Sequence, residues 1–166
     1  MKQQGAARIA LGRGSDSRIA TGVAVLDHLL AALAEAGGFE LRLEIAPDEP
    51  EAEVDTAGVT LGEALLPLLG RRGVGIVAAD EALAMVVVEV SGKPLVASNA
   101  DLSSTRAGGL RTDLAASFFR ELAEAAGLTI HVRLFEGEDS QHVLEAIFKA
   151  LGAALADTCA HPQKEE

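Results

Sequence analysis

The chain has 166 residues, of which 49% are apolar, and this is enough to build the hydrophobic core of one domain. Its 25 acidic and 14 basic residues give a net charge of −11, which argues against a nucleic-acid partner because phosphate backbones bind to clustered basic surfaces. No apolar run approaches the roughly 18 residues that a membrane-spanning helix requires, and no signal-peptide core follows the first residues, so we expect a cytoplasmic protein without a membrane partner.

The first half of the chain predicts two strands, a helix, a third strand and a second helix. RIALGRGSDSRIA, at 8–20, has the turn chemistry of a β-hairpin. A first helix is indicated by leucines at helical spacing, namely Leu26, Leu29, Leu30 and Leu33. FELRLEIA, at 39–46, alternates apolar and charged residues as a half-buried strand does. PDEPEAEVD, at 47–55, is interpreted as a loop or a short edge strand, and the second helix is predicted at about 55–69.

The second half repeats this order. VVVEVSGKPLVA, at 86–97, again predicts a hairpin, and Thr112 suits the N-cap of a helix that turns Leu114, Phe118 and Leu122 inward. A strand containing TIHVRLF follows, and the last helix is predicted at about 140–157. The sequence therefore predicts an α+β fold made of a duplicated β-β-α-β-α unit, with antiparallel or mixed sheets packed around a layer of helices.

Internal similarity supports the duplication. LAEAGGFELRL, at 33–43, and LAEAAGLTIHVRL, at 122–134, each join a helix end to a strand through a glycine, and TLGEAL at 60–65 resembles ALGAAL at 150–155. We interpret residues 1–159 as a single domain with pseudo-repeats at about 6–70 and 84–157. A polar tail is expected at 160–166.

Histidines are the most informative candidates for chemistry. His28 falls in the first helix, His131 on the outward face of a strand, His142 at the start of the last helix, and His161 in the tail. His142 and Glu145 are three residues apart, so a helix presents them on one side, as it does when it offers an imidazole and a carboxylate to a divalent ion. Such a pair also occurs on ordinary solvated helices, so the spacing alone leaves both interpretations open.

Three segments resemble the imidazoleglycerol-phosphate dehydratase family, whose members are lyases of histidine biosynthesis. They are LDHLLAALAEAGGFELRLE, DEALAMVVVEVSGKP and AGLTIHVRLFEGEDSQHVLEAIFKAL, in the family's order over roughly residues 20–156. The resemblance implies four helices packed between two four-stranded sheets. It also implies a homo-oligomer, a trimer or a cage of 24 chains, with two manganese ions per site held between neighbouring chains.

The family's metal ligands are two HHxxE motifs and two further histidines, and the resemblance places only part of this set here. His28, His131, His142 and Glu145 match four of the ligands, whereas Gln141 stands at the first histidine of the second motif.

In the first motif, aligned through GVTLGEAL, the two histidines fall on Glu51 and Ala52 and the glutamate falls on Asp55. Oxygen donors at Glu51 and Asp55 would shift the preference from manganese toward magnesium or calcium. The resemblance therefore implies at most one divalent ion, manganese or magnesium, bound weakly or not at all.

Substrate contacts are also altered relative to the family. Lys93 of SGKP stands at the arginine that helps to hold the substrate phosphate in the family, and lysine keeps the charge but lacks the planar two-pronged contact. Asp80 and Glu81 of the DEAL segment remain, either for acid–base chemistry or as a solvated loop. The family's RxTxET-type motif is not recognisable before Arg18, and its C-terminal Ser-Lys-Gly-type motif is missing.

Three hypotheses follow. The first is a degenerate member with lost or strongly reduced dehydratase activity, acting as a structural or regulatory partner, for example of a catalytic paralogue. The second is a working metal-dependent hydro-lyase on imidazole glycerol phosphate or a related phosphorylated metabolite. The third is a small-molecule-binding module that uses the vacated cleft between chains.

Overall fold

The computed structural model describes residues 5–11, 17–100, 106–107 and 110–160 of the chain. The strands are β1 (Gly5–Leu11), β2 (Arg18–Ala20), β3 (Phe39–Ile45), β4 (Arg72–Ala79), β5 (Ala82–Val90), β6 (Leu95–Ser98), β7 (Arg106–Ala107), β8 (Leu110–Arg111) and β9 (Leu128–Glu136). The helices are α1 (Ala24–Gly37), α2 (Pro50–Leu65), α3 (Thr112–Ala126) and α4 (Ser140–Ala160). None of the described helices is both long and apolar enough to cross a membrane. His161 lies outside the described residues.

Two main sheets enclose the helices, and the predicted α+β duplication is confirmed. The order β1-β2-α1-β3-α2 recurs as β5-β6-α3-β9-α4, with β4 added before the second unit and a short β7–β8 ribbon inserted before α3. Helices α1 and α2 contact the first sheet, α3 and α4 contact the second, and the helix pairs α1–α4 and α2–α3 join the two halves. The helices therefore form one layer between the sheets.

Strand order corrects the two predicted hairpins. The first sheet runs β1-β3-β2 and the second runs β4-β5-β9-β6, so the third strand of each unit lies between the two strands that were predicted to pair. In both sheets the central strand has one antiparallel and one parallel neighbour. The turn residues are compatible with a hairpin. However, the third strand of each unit inserts between the other two and so forms backbone hydrogen bonds along both of its edges.

Three further elements differ from the predictions. Strand β4 was not predicted, and it forms the true hairpin with β5 through Asp80 and Glu81, where Asp80 adopts φ 51. Helix α2 begins at Pro50, so much of the stretch predicted as a loop or edge strand is helical, because proline suits the first turn and acidic residues there favour the helix dipole. The described part of the first sheet contains three strands, not the four that the family resemblance implies.

The core fills the space between the sheets with aliphatic side chains and one aromatic cluster. Phe118, Phe119 and Phe148 are buried, with ring centroids 5.4–6.1 Å apart. Helix α2 approaches α3 closely because two positions of the contact carry no side chain: a Cβ added at Gly58 would lie 2.8 Å from the carbonyl oxygen of Phe118, and one at Gly62 would lie 2.7 Å from the Cβ of Ala125. Close packing of this kind couples the two halves of the domain.

The substitution Gly58→Ala tests this contact. Glycine to alanine in a helix interior normally stabilises by about 1 kcal/mol, but here the added methyl group meets the α3 backbone, and overpacking costs about 1–3 kcal/mol. We expect a net loss of unfolding free energy in urea titrations. Glu63→Ala, at an exposed position of the same helix, is the control and should change little. A stabilised Gly58→Ala protein would contradict the close contact.

Candidate functional site

Two imidazole–carboxylate pairs lie where α4 meets its neighbours. In the first pair, the Nε2 atom of His28 on α1 is 3.6 Å from the Oε1 atom of Glu145 on α4. The same carboxylate oxygen lies 3.8 Å from the Nζ atom of Lys149, one turn further along α4. The His28 side chain is 58% exposed, so this pair is accessible to a ligand or to another chain.

The second pair joins α4 to the β4–β5 turn. The Nδ1 atom of His142 lies 2.7 Å from the Oε2 atom of Glu81, and its Nε2 atom lies 3.4 Å from the Oδ2 atom of Asp80. Both ring nitrogens of His142 therefore face carboxylates of the turn. Because His142 and Glu145 are one helical turn apart, the two pairs occupy adjacent positions on the N-terminal half of α4.

Asp139 holds the second pair together, and sequence reasoning missed it. Its Oδ1 atom accepts hydrogen bonds from the backbone N–H groups of Gln141 (3.0 Å) and His142 (3.1 Å), as an N-cap does. Its own backbone N–H donates to the Oε1 atom of Glu81 at 3.2 Å. The aspartate just before the first turn of the predicted helix is the signal that could have identified this cap.

Hydrogen bonding shifts the protonation of this pair in opposite directions. The pKa of His142 is raised, chiefly because Glu81 accepts a hydrogen bond from it. The pKa of Glu81 is lowered, first by its own backbone N–H and then by His142 and the backbone of Asp139. The carboxylate thus fixes the ring orientation of an imidazole that can hold or release a proton, as acid–base chemistry requires.

Other candidate residues lie elsewhere in the chain. His131 is exposed on the outer face of the second sheet, away from the helices, because its neighbours Ile130 and Val132 point into the core. Lys93 lies in the β5–β6 turn, at the opposite end of the nine-residue strand β5 from Glu81, which separates them by about 30 Å at ~3.3 Å per residue.

The two carboxylates at the first-motif positions lie on α2. Helix α2 packs mainly on α3 and β1, whereas both imidazole pairs lie beside α4. Glu51 is exposed near the helix start, and the Oδ1 atom of Asp55 is buried without a hydrogen-bond partner. Among the described residues, no three His, Cys, Asp or Glu side chains are grouped so that they could hold a metal ion.

The substitution Glu81→Gln tests the His142 contact in metal-free protein. The amide still accepts the N–H of Asp139 but removes the charge, so the pKa of His142 should fall toward its ordinary value, as measured by NMR titration. Because folding raises the pKa of His142, its contact with Glu81 stabilises the fold fully below pH 6.5. This contribution is lost as the pH rises through the raised pKa. Because folding lowers the pKa of Glu81, the ionised carboxylate stabilises the fold above pH 4.5. This contribution is lost as the pH falls through the lowered pKa.

The stability difference between the wild type and Glu81→Gln should therefore be largest between pH 4.5 and 6.5 and fade at alkaline pH. Glu138→Gln, an exposed change on the same loop, is the matched control and should leave the His142 titration unaltered. Equal His142 titration curves in the wild type and Glu81→Gln would refute the contact.

Comparison of the sequence with known proteins identifies the family of this chain. The family model of imidazoleglycerol-phosphate dehydratase matches residues 21–155. The enzyme of that name from Acetivibrio thermocellus is 37% identical over 150 residues, covering 85% of this chain and 77% of the relative. The one from Caldicellulosiruptor saccharolyticus is 34% identical over 151 residues, covering 86% and 78%.

Solved structures agree with the sequence comparison. The imidazoleglycerol-phosphate dehydratase of Staphylococcus aureus superposes with a TM-score of 0.82 at 34% identity, covering 93% of this chain and 92% of that one. The Pyrococcus furiosus protein, solved in complex with (S)-C348, gives 0.84 at 29% identity, covering 100% and 94%. The chain therefore belongs to the imidazoleglycerol-phosphate dehydratase family.

Proposed function

We propose that this chain is a family member whose di-manganese site is degraded and whose dehydratase activity is lost or strongly reduced. The observation that carries the proposal is the residue set at three motif positions: Gln141, Glu51 and Ala52 stand where the family motifs have imidazoles. Amide, carboxylate and methyl groups cannot replace three neutral nitrogen donors.

The donors that remain do not fit a pair of manganese ions. The motif positions on α2 carry the carboxylates of Glu51 and Asp55, and the buried Oδ1 atom of Asp55 lacks a hydrogen-bond partner. Carboxylate oxygens suit magnesium or calcium, whereas an imidazole-rich set suits transition ions. One weakly bound divalent ion, manganese or magnesium, is the most that His28, His131, His142 and Glu145 would hold together with these carboxylates.

Internal contacts of the retained imidazoles also support the loss. In the single chain His142 directs both ring nitrogens at carboxylates, and Glu145 is shared by His28 and Lys149. A metal ion would have to displace these contacts and compete with the Lys149 ammonium group for the Glu145 carboxylate.

Assembly is the part of the family's behaviour that the surface best supports. Large apolar side chains are exposed on the outer face of the second sheet, with Val74 46%, Ile76 60% and Phe135 48% exposed. Grouped exposed apolar side chains mark protein–protein contacts. We therefore propose a cytoplasmic homo-oligomer, a trimer or a 24-chain cage, with a structural or regulatory role that includes co-assembly with a catalytic paralogue.

A second candidate is a working hydro-lyase on imidazole glycerol phosphate or a related phosphorylated metabolite. The observation that favours it is the Glu81–His142 pair, an oriented imidazole at 2.7 Å from its carboxylate and accessible to solvent. Lys93 would then supply the positive charge toward the substrate phosphate, from a different chain than Glu81, because the two lie at opposite ends of β5.

An activity assay separates the two candidates. With imidazole glycerol phosphate and added Mn²⁺, we expect kcat/KM at least about 10³-fold below that of the Acetivibrio thermocellus relative measured in parallel, because three direct ligands are missing and even supporting partners are worth about 10- to 100-fold each. Purified protein should also carry fewer than two manganese ions per chain by elemental analysis.

The combined variant Glu51→His, Ala52→His and Gln141→His tests whether the three missing imidazoles cause the weak metal binding. Its manganese content should rise above that of the wild type. Wild-type protein with two manganese ions per chain and a rate like that of the relative would overturn the proposal.

The substitution Ile76→Lys tests the assembly surface. A charge on the outer face of the second sheet should reduce the oligomer to smaller species in sedimentation velocity experiments, because burying an unpaired ammonium group in an apolar interface is costly. Glu124→Lys, an exposed change on α3, is the control for added charge and should leave the sedimentation profile unchanged. A monomeric wild type, or an unaltered profile for Ile76→Lys, would exclude this face.

A further inference from the structure

Three arginines stand in register across the first sheet. Arg8 on β1 lies opposite Arg42 on β3, and Arg42 lies opposite Arg18 on β2. All three are exposed, because the residues beside them in each strand, such as Leu41 and Leu43, turn toward the core. Neighbouring strands are about 4.8 Å apart, so the row brings three guanidinium groups within reach of one small ligand.

The Arg–Arg pairings are unfavourable in themselves, and Glu40 and Glu44 on β3 flank Arg42 on the same face. Like charges directly opposite each other destabilise a sheet, and the chain as a whole is acidic, with a net charge of −11. Arg42 is partly neutralised, since its Nη2 atom lies 3.8 Å from the Oε1 atom of Glu40. Within the part of the chain that the structure describes, Arg8 and Arg18 have no carboxylate within 4 Å, although Glu44 lies on the same face.

The described surface leaves space at the β1 end of the row. On the same face, the positions that flank the row on β1 and β2 are alanines, namely Ala6, Ala10 and Ala20, whereas those on β3 are Glu40 and Glu44. A depression of about 530 Å³ beside β1 includes Arg8, Arg42, Glu40 and Ala64 among its lining residues. The described side chains therefore leave room for a ligand beside Arg8.

We propose that this arginine row binds a small anion of the phosphate class that carries two or more negative charges. The planar guanidinium fork matches phosphate oxygens with two hydrogen bonds, and such charge-assisted bonds are stronger than neutral ones. Glu40 takes up part of the charge of Arg42, so Arg8 and Arg18 carry most of the attraction, about 9–10 Å apart across two strand spacings. A diphosphate spans that separation between long side chains better than a monophosphate does.

The site is independent of the proposed function. It lies on the outer face of the first sheet, whereas His28, His142 and Glu145 lie on or beside α4, and Lys93 lies in the β5–β6 turn. Loss or retention of dehydratase activity therefore does not bear on this inference.

Isothermal titration calorimetry with pyrophosphate and with inorganic phosphate, in chelator-treated buffer at low salt, tests the proposal. We expect pyrophosphate to bind more tightly than phosphate. Arg8→Gln and Arg18→Gln should each weaken pyrophosphate binding by about tenfold or more, and added salt should weaken it for the wild type. These arginines have no described ion-pair partner and each stands opposite Arg42, so the variants should melt at or slightly above the wild-type temperature.

A control on the other sheet locates the effect. Arg133→Gln removes an exposed arginine from the outer face of the second sheet and should leave pyrophosphate binding unchanged. Absence of pyrophosphate binding to the wild type would overturn the proposal, as would equal binding by Arg8→Gln and Arg18→Gln. A change of oligomer size in these variants without a change in binding would assign the row to a contact between chains and also overturn it.

Discussion

The close contact between α1 and α4 is the constraint on which the candidate site depends. A Cβ added at Gly152 of α4 would lie 2.0 Å from the carbonyl oxygen of Leu33 on α1, and one at Gly37 would lie 2.6 Å from the carbonyl oxygen of Gly152. The helix backbones can approach this closely only because both positions are glycine. His28 and Glu145 lie about one to two turns before this contact on the same two parallel helices, so the packing brings their side chains to 3.6 Å.

A second close contact positions the other pair. Strand β4 lies against α4 through Gly73 and Gly75, where added Cβ atoms would meet the carbonyl oxygens of Ala154 and Ala150 at 2.1 and 2.2 Å. The β4–β5 turn is thereby held beside the start of α4, and Asp139 ties the turn to the helix with hydrogen bonds on both sides. The Glu81–His142 contact is thus a product of sheet–helix packing rather than of either element alone.

Local sequence patterns predict the helices and strands of this chain better than they predict which strands pair. The alternation from Phe39 to Ile45 and the leucines of α1 predicted a strand and a helix correctly, since burial on one face leaves a period in the sequence. The pairing of β1 and β2 with β3 could not be read in this way, because the same turn residues suit a hairpin and a longer connection. The α2 start was missed because its acidic first turn looks like a loop until Pro50 is recognised as a helix-initiating residue.

The site shows the same division between local and long-range information. The spacing of His142 and Glu145 placed them on one side of a helix, but their partners His28 and Glu81 come from distant segments, and only the family resemblance connected those segments with α4. The metal and substrate roles assigned from that resemblance stay predictions. Asp139 was accessible from sequence as a helix cap, whereas its hydrogen bond to Glu81 depends on where the β4–β5 turn falls in three dimensions.

The candidate groups are distributed so that a single chain cannot bring all of them to one ion. His28, Glu145, His142 and Glu81 gather beside α4, His131 faces outward from the second sheet, and Asp55 lies on α2. Groups on opposite faces of one sheet cannot converge on one ion within a rigid chain, so any joint action by His131 and the α4 groups requires a chain boundary. In the proposed homo-oligomer, each chain would supply one part of the donors to every shared site. The proposed loss of imidazoles at Glu51 and Ala52 would then impair all the sites of that homo-oligomer equally, whereas a partner chain with intact motifs would restore part of each shared site.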